Sequence, residues 1–233
     1  MTRAILLDIE GTTTPIAFVH EVLFSYAREH VKEFLANNAD EARSDITRLR
    51  EEQATDVGHG EQPPPEIEAY VEWLIARDRK STGLKSLQGK IWRQGYLDGF
   101  LKSQVYADVA PAFARWRARS LSINIFSSGS VLAQQLLFAH TDAGDLTRYI
   151  DQYFDTNVGK KDEAESYRKI AGLLHLPPEQ ILFISDVVVE LDAATAAGMQ
   201  VLLSIRPGNY PLERAGCYRA INSFEEVSRK AAK

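Results

Sequence analysis

Sulfur chemistry is nearly absent from this chain of 233 residues, which carries one cysteine, Cys217. No internal disulfide can form, and a lone thiol near the C-terminus is expected as a small packing residue in a reducing compartment. Long apolar runs are also missing. No stretch approaches the ~18 residues of a membrane span. The first run, residues 4–7, ends at Asp8 and is too short for a signal-peptide core. A cytoplasmic location and no membrane partner are therefore expected. Positive charge is in deficit: 27 Lys and Arg face 32 Asp and Glu, a net −5, so no global field draws nucleic acid. Neither G-x-G-x-x-G nor G-x-x-x-x-G-K-[ST] occurs, which argues against dinucleotide and P-loop chemistry. The five histidines, His20, His30, His59, His140 and His175, show no metal-ligand spacing.

What is present is an ordinary globular composition, 45% hydrophobic and 25% charged, long enough for one core plus a smaller lobe. Residues 4–9 read as a buried parallel strand interrupted by an acid, feeding a loop of Glu10, Gly11 and three threonines. Helical spacing follows over 18–35, a second helix is expected over 41–52, and the glycines and prolines of 57–65 make a loop. Pro65 is placed to open a helix over 66–78, and 86–102 is a further helical segment expected to bend near Gly95 or Gly99.

Beyond about residue 104 the pattern alternates. Helices are expected at 111–119, 131–140, 164–174 and 191–197, and strands at 121–126, 149–154, 181–184 and 201–205. Such alternation predicts a doubly wound α/β parallel sheet. The helix-only stretch predicts an inserted lobe, giving a catalytic core of residues 1–15 and 106–233 and a helical cap of residues 16–105.

Ligands of open α/β sheets bind beyond the carboxyl ends of the strands. Polar residues stand there in three sets: Asp8 with Glu10, Ser127 to Ser130, and Asp186 followed by Glu190. Each alone reads equally well as a turn or helix cap; three together point to a site. Asp8 and Glu10, two apart, overlook one pocket. One carboxylate can attack phosphorus, and the other can protonate the leaving oxygen and then activate water. Asp186 supplies oxygen suited to Mg²⁺, and Glu190 is placed to orient a metal-bound water or a lysine. Ser127, Ser128 and neighbouring N–H groups open a helix and suit an anion. Lys160 or Lys161 can neutralise a phosphoryl oxygen and the nucleophile. Spacing does not choose between them.

Assembled in this way, the chain resembles the haloacid-dehalogenase-like phosphatases, whose pattern is an acid pair, a Ser or Thr, a lysine and late acids. Most such phosphatases carry Asp-x-Asp, whereas this chain has Asp8-Ile9-Glu10. With residues 11–16 (GTTTPI), 87–92 (LQGKIW), 127–130 (SSGS), 166–170 (SYRKI) and 206–209 (RPGN), it is similar to the enolase-phosphatases over nearly its whole length.

The resemblance implies enolisation of 2,3-diketo-5-methylthiopentyl-1-phosphate in methionine salvage, then hydrolysis of its phosphate ester through an aspartyl-phosphate. It implies Asp8 as nucleophile and metal ligand, and Glu10 as acid/base and metal-site residue, the latter through its carbonyl. Ser127 and Ser128 bind the phosphate, and Lys161 takes the lysine position. Asp186 completes the site of one Mg²⁺ per subunit, with Glu190 behind it. The cap is expected to close over the small phosphate ester; Lys85, Gln88 and Trp92 are considered on it. A monomer is the simplest assembly. The alternative is a generic sugar-phosphate or phosphoglycolate phosphatase of the same superfamily. A phospho-acceptor signalling module is disfavoured by its shorter chain, and a metal-independent dehalogenase by the metal pair.

Overall fold

β1 (Ala4–Leu7) is buried along its whole length, and the period-two alternation of a strand sends its side chains to opposite faces. Ile5 and Leu7 join one core with Val109, Phe113 and Trp116, while Ala4 and Leu6 join another with Tyr167, Ile170 and Leu191. A strand covered on both faces needs an unbroken apolar run, which is what precedes Asp8. The computed structural model describes residues 1–77, 79, 81–211 and 218–227. Cys217 and the expected helix end at Asp78 lie outside the described residues. The chain forms two compact units, Met1–Val19 with Lys102–Lys233, and His20–Leu101.

The second unit is helical. A π-helical turn (Phe18–Leu23) leads into α1 (Phe24–Asn37), followed by α2 (Ala39–Gly58), α3 (Ile67–Ala76) and α4 (Thr82–Leu97). Phe34, Leu49, Tyr70, Leu74, Leu87 and Ile91 are buried. Polar ties join the helices: Lys90 Nζ reaches Asp45 Oδ2 at 2.6 Å, and the Tyr70 hydroxyl donates to Asp56 at 2.8 Å.

Several boundaries differ from expectation; α2, for one, runs from Ala39 to Gly58 where 41–52 is expected. α3 begins at Ile67, because Glu66 holds extended backbone and Pro65 precedes it. α4 begins at Thr82, capped by Ser81, whose hydroxyl accepts from Leu84 N–H at 2.9 Å. It passes through Gly95 and ends before Gly99, whose φ of +76° closes the helix.

In the first unit β2 (Ser122–Phe126), β3 (Gln152–Phe154), β4 (Ile181–Ser185), β5 (Gln200–Ser204) and β6 (Ala220–Ile221) complete a parallel sheet ordered β3-β2-β1-β4-β5-β6. α5 (Val109–Arg117) and α6 (Val131–Ala139) pack on the face of Ile5 and Leu7. α7 (Ala164–Leu173) and α8 (Val188–Ala196) pack on the other. The fold is doubly wound α/β. The strand β6 escapes the sequence pattern because two residues carry no period. The chain winds outward from β1 through β2 to β3, then from β4 outward through β5 to β6. The crevice of such a sheet opens at that switch, where Asp8 and Asp186 follow β1 and β4. Among the described residues no helix is long and apolar enough to cross a membrane.

Candidate active site

Asp8 continues the β1–β4 ladder, its N–H donating to the Ile184 carbonyl at 3.0 Å. Its carboxylate is buried against Lys161, itself 8% exposed, with Lys161 Nζ 2.5 Å from Asp8 Oδ1 and 2.8 Å from Glu190 Oε2. Ser185, the last residue of β4, donates to Glu190 Oε2 at 2.8 Å and stands 3.4 Å from Asp8 Oδ2. Lys160, by contrast, is exposed and faces Glu163 at 3.6 Å. The loop before α7 sets this difference. Tyr167 donates its hydroxyl to the Lys161 carbonyl at 2.8 Å, and Ser166 donates to the Lys160 carbonyl at 2.6 Å. Gly159, at φ +145°, passes so close to Ser166 that a Cβ would lie 2.2 Å from its oxygen.

Charge at this place is unbalanced. Burial works against the Lys161 ammonium, yet Asp8 and Glu190 outweigh it and hold the group above the usual lysine range. Burial pushes Asp8 upward; Lys161 opposes that, and the charge of Glu10 adds to it. Asp186 is pushed up to about 8 by burial and then by the charge of Asp8. Glu190 is pushed up to about 7 by burial and Asp8, with Lys161 pulling the other way. One ammonium therefore faces three carboxyls whose shifts are all upward.

The acid loop leaves β1 in a tight turn. The Ile9 carbonyl accepts from Thr13 N–H and Thr14 N–H at 2.9 Å each, and Gly11 N–H donates to Thr14 at 2.9 Å. Gly11 adopts φ +66°, and a Cβ there would lie 2.3 Å from Asp186 Oδ2 and 3.0 Å from Asn209 Oδ1. Only glycine lets the loop come so close. Glu10, half-buried, bridges to Thr14 beside it.

After β2 the serines divide their work. Ser130 caps α6, accepting from Ala133 N–H at 3.3 Å, and Ser127, buried, accepts from Gly129 N–H at 3.2 Å. Ser128 is exposed. Gln134 fixes the loop by donating to the Gly129 and Phe154 carbonyls, each at 2.8 Å. On the helical unit, Trp92 Nε1 donates to the Leu23 carbonyl at 2.8 Å and its ring stacks on Phe24, while Gln88 is buried.

The donor set suits Mg²⁺, which takes one or two carboxylates and keeps several waters. Asp186 Oδ1 is buried without a partner, an acceptor awaiting a cation or donor. Among the described residues no three carboxylate, imidazole or thiolate side chains gather as a metal cluster.

A model of the haloacid dehalogenase-like hydrolases matches residues 2–198. Enolase-phosphatase E1 of Synechococcus elongatus is 53% identical over 231 residues, covering 96% of this chain and 96% of that protein. The chain belongs to the enolase-phosphatase family of haloacid dehalogenase-like hydrolases. Enolase-phosphatase E1 of Danio rerio is 42% identical, over 97% of this chain and 94% of that one. The crystal structure of the UTR4 protein of Saccharomyces cerevisiae matches with a TM-score of 0.79 and 37% identity, covering 97% of this chain and 100% of that one. Family membership makes the chain a phosphatase.

Within the family's site, several contacts carry no sequence motif of their own. Ser185 joins Asp8 to Glu190, Tyr167 seats Lys161, and Gln134 pins the serine loop. Ser185 stands one residue before Asp186, and its polar end on an apolar strand is the signal that marks it. Tyr167 and Gln134 sit on helices whose periodicity reads as packing, so only the fold reveals their second task.

Proposed function

We propose that this chain enolises 2,3-diketo-5-methylthiopentyl-1-phosphate and then hydrolyses its phosphate ester, using one Mg²⁺ per subunit. The observation that carries the reading is the buried Asp8–Lys161 pair at the switch of the sheet, in a chain alike from end to end to enolase-phosphatases. Asp8 and Asp186 would hold the ion through side-chain oxygens, and Glu10 through its carbonyl. When bound, Mg²⁺ supplies a Lewis acid that spreads negative charge on the substrate oxygens.

Lys161 anchors one oxygen of Asp8, so the other is aimed for attack. Asp8 forms a bond to phosphorus as the ester P–O bond breaks, and Glu10 gives its proton to the leaving oxygen. Glu10 then takes a proton from water, which attacks phosphorus and frees Asp8 and phosphate. Ser127, Ser128 and the N–H groups that open α6 bind the phosphoryl oxygens. The added methylene of glutamate over aspartate gives Glu10 reach to a carbon-bound proton during enolisation as well. This assignment makes one carboxyl the base of both reactions.

The test is incubation with the diketo phosphate and Mg²⁺, following enol absorbance and phosphate together. The enol signal should rise before phosphate appears, and Asp8→Asn should abolish phosphate release. Faster release from phosphoglycolate or sugar phosphates, without an enol signal, would establish the generic phosphatase instead. Glu10→Gln should lose both steps; full enolisation in that variant removes the shared base.

A further inference from the structure

Two oxygens from different loops close on Gly11: Asp186 Oδ2 and Asn209 Oδ1 lie 2.3 Å and 3.0 Å from the position a Cβ would take. The Asn209 carboxamide is fixed in its sense. Its Nδ2 donates to the Gly11 carbonyl at 3.0 Å and stands 3.4 Å from the Ser204 carbonyl. Both neighbours of that nitrogen are acceptors, so the amide oxygen must face the other way. There it is buried without a hydrogen-bond partner, as is Asp186 Oδ1. Buried acceptors left unpaired are costly. Lys161, the ammonium nearest in the network, is already shared by Asp8 and Glu190.

Anchoring the loop does not account for the amide oxygen. Ser204 Oγ also donates to the Gly11 carbonyl, at 3.2 Å, so that carbonyl has two donors while Asn209 Oδ1 has none. A hydrated divalent cation supplies what is missing, because each water in its shell is a donor turned outward.

We propose that Asn209 is a positioning residue for the metal: its Oδ1 accepts a hydrogen bond from a water of the cation's own shell, beside Asp186. The inference rests on the Mg²⁺ reading given above. Asn209 acts through that water and touches no reacting atom.

Calorimetric titration of the metal-free protein with Mg²⁺ tests it on wild type, Asn209→Ala and Asn209→Asp. Asn209→Ala should raise the Mg²⁺ Kd about tenfold, the usual scale for losing an outer partner of a metal site. Asn209→Asp loses the same N–H anchor to Gly11 but keeps an acceptor oxygen, and it should bind Mg²⁺ at least as tightly as wild type. With Mn²⁺ in place of Mg²⁺, water-proton relaxation should change in the alanine variant, reporting a disturbed water shell. An alanine variant within twofold of wild type overturns the proposal. So does equal weakening in both variants, which would leave Asn209 as a loop anchor only. Should Asn209→Ala melt far below wild type, Asn209→Asp decides alone, since weakened binding there contradicts an acceptor role. Wild type that binds no Mg²⁺ overturns the metal reading too, whereas wild-type binding with an indifferent alanine variant removes only the role of Asn209.

Discussion

Lys161→Met would leave Asp8 and Glu190 buried with no ammonium between them, and truncating one partner of such a group typically costs about 3–5 kcal/mol. Urea denaturation should show that loss, and Lys161→Met/Glu190→Gln should recover part of it by removing one stranded charge. Equal stability of single and double variants would contradict the shared pairing. Phosphate release should fall about 10²- to 10³-fold in the single variant, the scale of losing one electrostatic donor. At this scale the sequence is partly legible. The polar residues ending apolar strands, Asp8, Ser127 and Asp186, stand out by position. Spacing leaves Lys160 and Lys161 equal; the difference arises from Ser166 and Tyr167, which grip the two backbone carbonyls and turn one lysine inward.

Two helical glycines, alike in sequence, behave oppositely in their elements. Gly172 in α7 has nothing within 4 Å of the place a Cβ would occupy, so Gly172→Ala should stabilise by about 0.4–1 kcal/mol through helix propensity and unfolded-state entropy. Gly95 in α4 lies against Tyr26, where a Cβ would come 2.7 Å from the ring. Gly95→Ala should therefore lose about 1–3 kcal/mol, overpacking exceeding propensity. Thermal melts of the two variants check the pair; a stabilised Gly95→Ala would mean that Tyr26 moves freely. At Gly95 the helix continues without a break, and the missing side chain leaves room for the Tyr26 ring. Periodicity places α4, whereas its ends depend on Ser81 and on the positive φ of Gly99, which a hydrophobic pattern does not report.

Across the whole molecule, one ionic knot joins segments far apart in the chain. Arg206 donates to the Thr12 carbonyl at 3.2 Å and to Asp108 at 2.9 Å, and its guanidinium lies 4.7 Å from the Tyr106 ring and 4.5 Å from that of Phe224. Burial works against the Asp108 charge, but hydrogen bonds from Phe224 N–H and Arg206 prevail and hold the carboxyl below its usual range. The folded protein thus binds fewer protons here than the unfolded chain. This contribution is complete above the unfolded aspartate value of about 3.9 and is lost as pH falls through the lower folded value. Urea midpoints should fall as pH drops below about 4, and Asp108→Asn should flatten that limb. A second whole-molecule outcome concerns the metal. Mg²⁺ at about 100 times its Kd should add about 2.7 kcal/mol to stability, and Asp8→Asn should reduce that increment. An unchanged melting temperature with Mg²⁺ would count against the site. The winding of the sheet is readable from alternating strands and helices; β6 and the Arg206 knot are not, because they depend on pairings between distant residues.

Distance along the chain has a consequence for synthesis. Asp8 meets Lys161 across 153 residues, and Gly11 meets Asn209 across 198. At roughly 5–20 residues per second, the ribosome leaves the acid loop without its last anchor for about 10–40 s. For most of that interval the nascent chain carries Asp8 without Lys161, and for all of it without Asn209. The cluster is completed only when the strand order closes around β1, so a chain stalled before residue 161 holds Asp8 without the ammonium that pairs with it.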